Sequence, residues 1–225
     1  MQYINLVNEA LRRINEVTLN SSNFTNNLTG PQAFIKDAVN DALRDIYIDE
    51  MQWPFNYAQG TQVLTVGTQF YNLPADYAHV DYKSFYITKN IPDTSVQGKQ
   101  LFYIDYQFWR DQIKERDDSL VSTGYGIPDN VFRLANDKFG VTTVPDKAYS
   151  ITFDYWKRFT PLVNFDDTSL VPDRYSGVIK DGVLKYAYLF REDIQQSAVQ
   201  DERFKKGVSR MRMELIGQEL SARPR

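Results

Sequence analysis

The strictest constraint on this chain is the run Tyr149-Ser-Ile-Thr-Phe-Asp-Tyr-Trp156. Tyr149, Ile151, Phe153 and Tyr155 fall on one side of an extended strand, and Ser150, Thr152, Asp154 and Trp156 on the other. Period two with one apolar face describes a sheet packed on one side only. Two more runs rich in strand formers precede it, Val131-Phe-Arg-Leu134 and Gly140-Val-Thr-Thr-Val144. Asn136-Asp-Lys138 has turn chemistry, and Pro145 in the second connection fixes φ and cannot donate to a ladder. The stretch 126–162 is therefore expected to form an antiparallel meander of three short strands. The segments before and after it are helices, or strands able to cover its apolar face.

Helical spacing dominates both ends of the chain. Ile4, Val7, Leu11 and Ile14, with Ala10 and Val17 beside them, predict an amphipathic helix of about four turns. After an Asn/Ser/Thr-rich loop over 18–30, Thr29-Gly-Pro-Gln32 resembles a capping box with proline in the first turn. The stripe Phe34, Ile35, Ala38, Val39, Ala42, Leu43, Ile46 and Tyr47 is wide enough for two neighbours. Trp53-Pro54 closes that helix, because a residue before proline avoids helical angles. A third helix from Arg174 carries Tyr175, Ile179, Val183, Tyr186 and Phe190. A break near 193–197 separates it from a fourth, with Phe204, Val208, Met211 and Leu215 inward and Arg203, Lys206 and Arg210 outward.

Between the first pair and the meander, Thr61-Gln-Val-Leu-Thr-Val66 and Phe70-Tyr71 predict a hairpin about Gly67. A strand is expected over 80–88, a loop over 89–99, and a short strand at 101–104. Asp105 then caps a helix holding Phe108, Trp109 and Ile113, and 115–126 reads as loop. The order is α+β. The simplest arrangement is a helical bundle from the N- and C-terminal helix pairs, 1–55 and 170–225, with an antiparallel β-rich lobe, 56–169, inserted between them.

Composition excludes several kinds of chemistry. The chain has no cysteine, so thiolate nucleophiles, disulfides and Cys-based zinc sites are out. No run approaches the apolar length of a membrane span and no secretory leader is legible, so no membrane is expected. The Asn-x-Ser/Thr matches at Asn20, Asn23 and Asn27 are read as chance, and synthesis in a reducing cytosol is expected. His79 is the only histidine and lacks a Gly-x-Ser-x-Gly elbow or a calcium loop to work with. It is read as a solvated or sheet-edge residue. The acid pairs Asp117-Asp118 and Asp166-Asp167 could serve a glycosidase, but sit beside Ser and Thr where turn chemistry explains them. No catalytic, metal or cofactor site is assigned.

Charge is distributed unevenly. From Arg203 onward seven Lys or Arg face only Glu214 and Glu219, so a mildly acidic body carries a basic tail. That helix face is either simply solvated or suited to an acidic protein partner or to the phosphates of DNA.

The segments following one another along the chain resemble the head-to-tail adaptor proteins of tailed phages, the tail tubular protein A family of short-tailed phages above all. The likeness rests on Gly126-Ile-Pro followed by the strands ending Val144-Pro-Asp and Tyr149–Trp156. It also rests on Met51-Gln-Trp-Pro-Phe55 closing the second helix, on Phe70-Tyr-Asn-Leu-Pro-Ala-Asp-Tyr77, and on Ile104-Asp-Tyr-Gln-Phe-Trp-Arg110. The resemblance is one of order and texture, and none of its motifs is catalytic. It implies a structural virion protein at the head-tail junction: a homo-oligomeric ring, usually of twelve subunits, below the portal protein. The ring would hold the downstream tail (nozzle) protein and pass genomic DNA through its channel without sequence-specific binding. On that reading Arg203, Lys206, Arg210, Arg223 and Arg225 meet the portal, while Phe34, Tyr47, Trp53, Tyr175 and Tyr186 meet neighbouring subunits. The rival from another class is a DNA-binding module using the same basic helix.

Overall fold

The computed structural model describes residues 1–25, 28, 30–88, 98–119 and 124–217. The fold mixes helices with antiparallel sheets, as expected for an α+β chain. It divides into two units, one of residues 1–56 with 159–225 and one of Tyr57–Arg158.

Among its described residues the first unit holds four α-helices: α1 (Tyr3–Arg13), α2 (Pro31–Asp49), α4 (Ser176–Phe190) and α5 (Ile194–Leu215). They share one apolar core, to which α1 gives Leu6, Val7, Ala10 and Leu11, α2 gives Ile35, Val39, Leu43 and Ile46, and α4 gives Ile179 and Val183. Phe204, Val208 and Met211 complete it from α5 at spacings of three and four. Gly182 lets three helices meet closely: a Cβ there would stand 2.9 Å from both Ala42 Cβ and the Phe204 ring. The long connections are pinned to the helices by side-chain amides. Asn40 exchanges hydrogen bonds with the backbone of Leu162 (2.9 and 3.0 Å), and Asn8 does the same with Leu19 (2.7 and 2.8 Å).

Two helix ends differ from expectation, and the expected break between α4 and α5 is present. Helix α1 runs three turns and not four, because Asn15 takes φ +56° and turns the chain, leaving Val17 exposed. The N-cap of α2 is Gly30 with no side-chain cap, and Gln32 instead donates to the Val17 carbonyl at 2.9 Å; Thr29 lies outside the described residues. Asp193 caps α5 by accepting from the Gln196 N–H at 3.0 Å, so the break falls just before 194.

Among its described residues the second unit forms two four-stranded sheets. The first, in the order β1-β8-β3-β4, uses β1 (Tyr57–Val63), β8 (Ser150–Lys157), β3 (Tyr77–Ile87) and β4 (Lys99–Gln100). The second, in the order β2-β7-β6-β5, uses β2 (Phe70–Asn72), β7 (Lys138–Thr142), β6 (Asn130–Leu134) and β5 (Phe102–Tyr103). One core joins them: Phe85 stacks on Phe153 at 4.6 Å within the first sheet, and Phe139 of the second meets Phe85 edge-on at 5.2 Å. Tyr149, Ile151, Phe153 and Tyr155 are all buried, which is the alternation the sequence displays. Each sheet sets a glycine against a phenylalanine on the neighbouring strand, Gly60 opposite Phe153 and Gly140 opposite Phe132, with the ring lying where a Cβ would stand.

The expected three-strand meander is corrected. Strands β6 and β7 form a hairpin about Asn136 and Asp137, both at φ +58°, but β8 crosses to the other sheet and pairs with β1 and β3. The hairpin expected about Gly67 is corrected likewise, since β1 and β2 lie in different sheets. The strand expected at 101–104 is split at buried Leu101: β4 pairs with β3, and β5 runs parallel to β6. The cause is common to all three. A strand pairs wherever its apolar face finds cover, and that partner is distant in sequence.

Helical turns at Tyr106–Phe108, Trp109–Ile113 (a π turn) and Lys114–Ser119 run on as one stretch, α3, past the point where the sequence reads as loop. Its Trp109 stacks on Phe132 at 4.5 Å, so the central strands β6 and β7 of the second sheet are covered on both faces. Asp117 explains why α3 stays put. Its side chain is fully buried and accepts from Gln69 Nε2 (2.8 Å), Trp109 Nε1 (3.2 Å) and Arg116 (3.1 Å).

Two substitutions test this packing by chemical denaturation. Asp117→Ala leaves the Trp109 and Gln69 donors without an acceptor and is expected to cost about 1–3 kcal/mol, most of it restored by Asp117→Asn. Gly182→Val drives a branched side chain into Ala42 and Phe204 and is expected to cost about 2 kcal/mol.

Candidate partner-docking site

Helices α4 and α5 approach closely where Gly207 faces Val178; a Cβ on Gly207 would stand 2.9 Å from Val178 Cγ2. Above that contact lies a groove of about 490 Å³ lined by Arg174, Asp181, Arg203, Lys206, Arg210 and Glu214. The helical period places Arg203, Lys206 and Arg210 along one exposed stripe of α5, opposite the buried Phe204, Val208 and Met211. The other wall comes from the 3₁₀ turn Asp173–Tyr175 and the start of α4.

The polar groups in the groove are unequally engaged. Tyr175 is buried, donates its hydroxyl to Glu214 at 2.9 Å, and supports the Arg174 guanidinium 4.9 Å above its ring. Lys206 pairs with Glu202 at 2.7 Å on the solvent side. Arg174, Arg203 and Arg210 have no carboxylate within ion-pair distance among the described residues. Asp181 has its pKa raised, first by desolvation, with Arg203, Lys180 and Arg13 pulling it partly back. The groove thus presents three guanidiniums without carboxylate partners among the described residues, on a closely packed floor, an arrangement that receives carboxylates or phosphates.

The three described residues of the basic set, Arg203, Lys206 and Arg210, are brought together; Arg223 and Arg225 lie outside the described residues. Sequence reading missed Arg174, Asp181 and Glu214. Arg174 could have been found from its place at the turn opening α4, but only the packing of α4 on α5 shows that it faces Arg203. The five aromatic residues assigned to subunit contacts are largely occupied within the chain. Trp53 is fully buried, donates to the Ile46 carbonyl at 2.8 Å and stacks on Phe55, so it has no free face for a neighbour. Tyr175 is buried as just described. Phe34, Tyr47 and Tyr186 are half-buried: Phe34 stacks on Phe190 at 4.4 Å, Tyr47 meets Phe55 and Phe159, and Tyr186 donates to Asp45 at 2.7 Å.

The acid pairs are explained structurally. Asp117 holds α3. Asp167 accepts the Val163 and Asn164 N–H groups (2.7 and 2.8 Å), bonds that lower its pKa and fold the loop before α4. A wider cleft of about 760 Å³ in the β unit contains Asp105 and Asp137. The first caps α3 through Gln107 N–H at 2.7 Å, and the second accepts from the Tyr77 hydroxyl. His79 is exposed on β3 beside Trp156. Among the described residues no cluster of acids and histidine could hold a metal, and no helix is long and apolar enough to cross a membrane.

Comparison with known families adds one decisive match: residues 1–225 match the family described as SU10 adaptor protein. The chain belongs to the SU10 adaptor protein family. Membership bears out a phage adaptor, a structural component of the virion that works through partner proteins. No curated protein matches the chain. In an SU10 adaptor protein a groove of uncommitted guanidiniums is read first as a surface for another protein.

The raised pKa of Asp181 gives a test with a defined sign. A carboxylate whose folded pKa lies above its unfolded value binds protons preferentially in the folded state, so the folded state gains stability as pH falls through the shifted value. Asp181→Asn is expected to raise the melting temperature at pH 7, with the gain vanishing below about pH 4, where the unfolded carboxyl is also protonated.

Proposed function

We propose that this SU10 adaptor protein is a ring-forming head-to-tail adaptor that joins the portal to the tail, in the manner of the tail tubular protein A family it resembles. Twelve copies would form the ring, with the four helices of each acting as a bundle that packs against neighbours and the portal. The β unit would meet the downstream tail protein, and genomic DNA would pass through the central channel. Phe34, Tyr47 and Tyr186, each with part of its surface free, remain the aromatic residues assigned to subunit contacts. Arg203, Lys206 and Arg210, joined by Arg174 and by Arg223 and Arg225 of the basic tail, would receive acidic residues of the portal.

The observation that carries this reading is the groove between α4 and α5, where three exposed guanidiniums have no carboxylate within ion-pair distance among the described residues. Charge-assisted contacts of this kind fix register and speed encounter between large surfaces. A channel that lets DNA slide needs few tight phosphate contacts, and the acidic balance of the rest of the chain agrees with that.

Arg203→Glu with Arg210→Glu should weaken binding to purified portal by about a hundredfold or more, through two lost pairs and the repulsion that replaces them. The folded state should survive, since both side chains are exposed. Unchanged portal binding would remove this assignment. Duplex DNA held by the unsubstituted protein at physiological salt, and lost in the double variant, would favour the DNA-binding module instead.

A further inference from the structure

Among the described residues, strand β1 is an edge of its sheet, and it carries none of the charge, proline or bulge that commonly keeps an edge from pairing. Its sequence, Tyr57-Ala-Gln-Gly-Thr-Gln-Val63, has no charge and no proline, and its register with β8 is continuous over all seven residues without a bulge. The other edges are short: β4 and β5 have two residues each and β2 has three. Edge strands left long, flat and uncharged are templates for another strand.

The direction of the free backbone groups follows from β8. Ser150 offers its carbonyl to Thr88 N–H (2.8 Å), and Asp154 offers its N–H to Ser84 Oγ (2.8 Å), so both turn their backbone groups toward β3. Their partners on β1, Val63 and Gln59, must therefore turn theirs toward the open edge, and Tyr57 and Thr61 do so by alternation. The Gln62 side chain donating to the Val63 carbonyl at 2.8 Å agrees with an outward carbonyl. Tyr57, Gln59, Thr61 and Val63 are also the residues whose side chains are exposed.

This sequence is complementary to itself when read antiparallel. With Gly60 opposite Gly60 of a second copy, Tyr57 lies opposite Val63, and Gln59 opposite Thr61. The first is an aromatic–β-branched pair and the second an amide–hydroxyl pair, both favourable across strands, and no like charges meet. All four outward-facing residues then fall in hydrogen-bonded pairs, giving about eight backbone bonds. We propose that β1 pairs antiparallel with β1 of a second copy, joining two sheets into one of eight strands. Such a contact is isologous and closes at two copies, so it is separate from the head-to-tail contacts of a ring. It does not depend on portal docking.

Two charge variants of the full chain test both the contact and its register. Gln59→Lys with Thr61→Lys sets Lys opposite Lys twice in the paired edges. Gln59→Lys with Thr61→Glu sets Lys opposite Glu twice, and leaves the introduced ammonium beside Asp154 of β8. Both positions are exposed, so both variants should keep the fold, checked by circular dichroism. Mass should be measured by sedimentation equilibrium up to about 200 µM, since a single paired edge is a small interface. Self-association of the unsubstituted protein that falls at least tenfold in the Lys/Lys variant and returns in the Lys/Glu variant is the expected result. A monomer throughout that range, or association equal in all three proteins, would overturn the proposal. Loss in both variants would overturn it too, because it would mean that β1 meets something other than its own copy.

Discussion

The pairing of β1 with β8 is the interaction on which the rest of the structure depends. The chain enters the β unit at Tyr57 and leaves it at Arg158, and Tyr57 pairs with Trp156 across seven continuous positions. Incoming and outgoing chain therefore lie side by side. The whole β unit can then be inserted between two helical segments without holding those segments apart. The cost of that closure is loop entropy, which grows slowly with loop length, and the packing of Phe153 over Gly60 and Phe85 helps offset it.

The helical unit draws on both ends of the chain for the same reason. Helix α2 carries an apolar stripe too wide for one neighbour and packs on α1 and α4, while α4 packs on α5 through Gly182 and Gly207. Close helix contact at two glycines packs α4 tightly on α5. The basic groove sits on that floor, so the backbone positions that carry its arginines are set by the packing while their charges remain uncommitted. A docking surface benefits from both properties, because a pre-organised site loses less freedom on binding.

The parts legible in the sequence were those set by local periodicity. The stripes of α1, α2, α4 and α5 and the alternation from Tyr149 to Trp156 each reflect one face seeking cover. The choice of partner strand was not legible. Leu101 lets the chain step from one sheet to the other, and Thr143 at φ +60° turns it away from β7 before β8, but neither residue says where the strand will pair. The site divides the same way. Arg203, Lys206 and Arg210 share a face by spacing alone, whereas Arg174, Asp181 and Glu214 join them only through packing. The aromatic residues show the converse: Trp53 and Tyr175 are as apt for a core as for an interface by composition, and the fold places them inside.

The central claim is that this chain acts by holding other proteins. The most direct test is the mass of the particle formed when the full-length protein is mixed with assembled portal, measured by native mass spectrometry. The account predicts a discrete complex carrying one ring of adaptor copies per portal, twelve on the reading given above. A portal that stays bare at saturating adaptor concentration would contradict it.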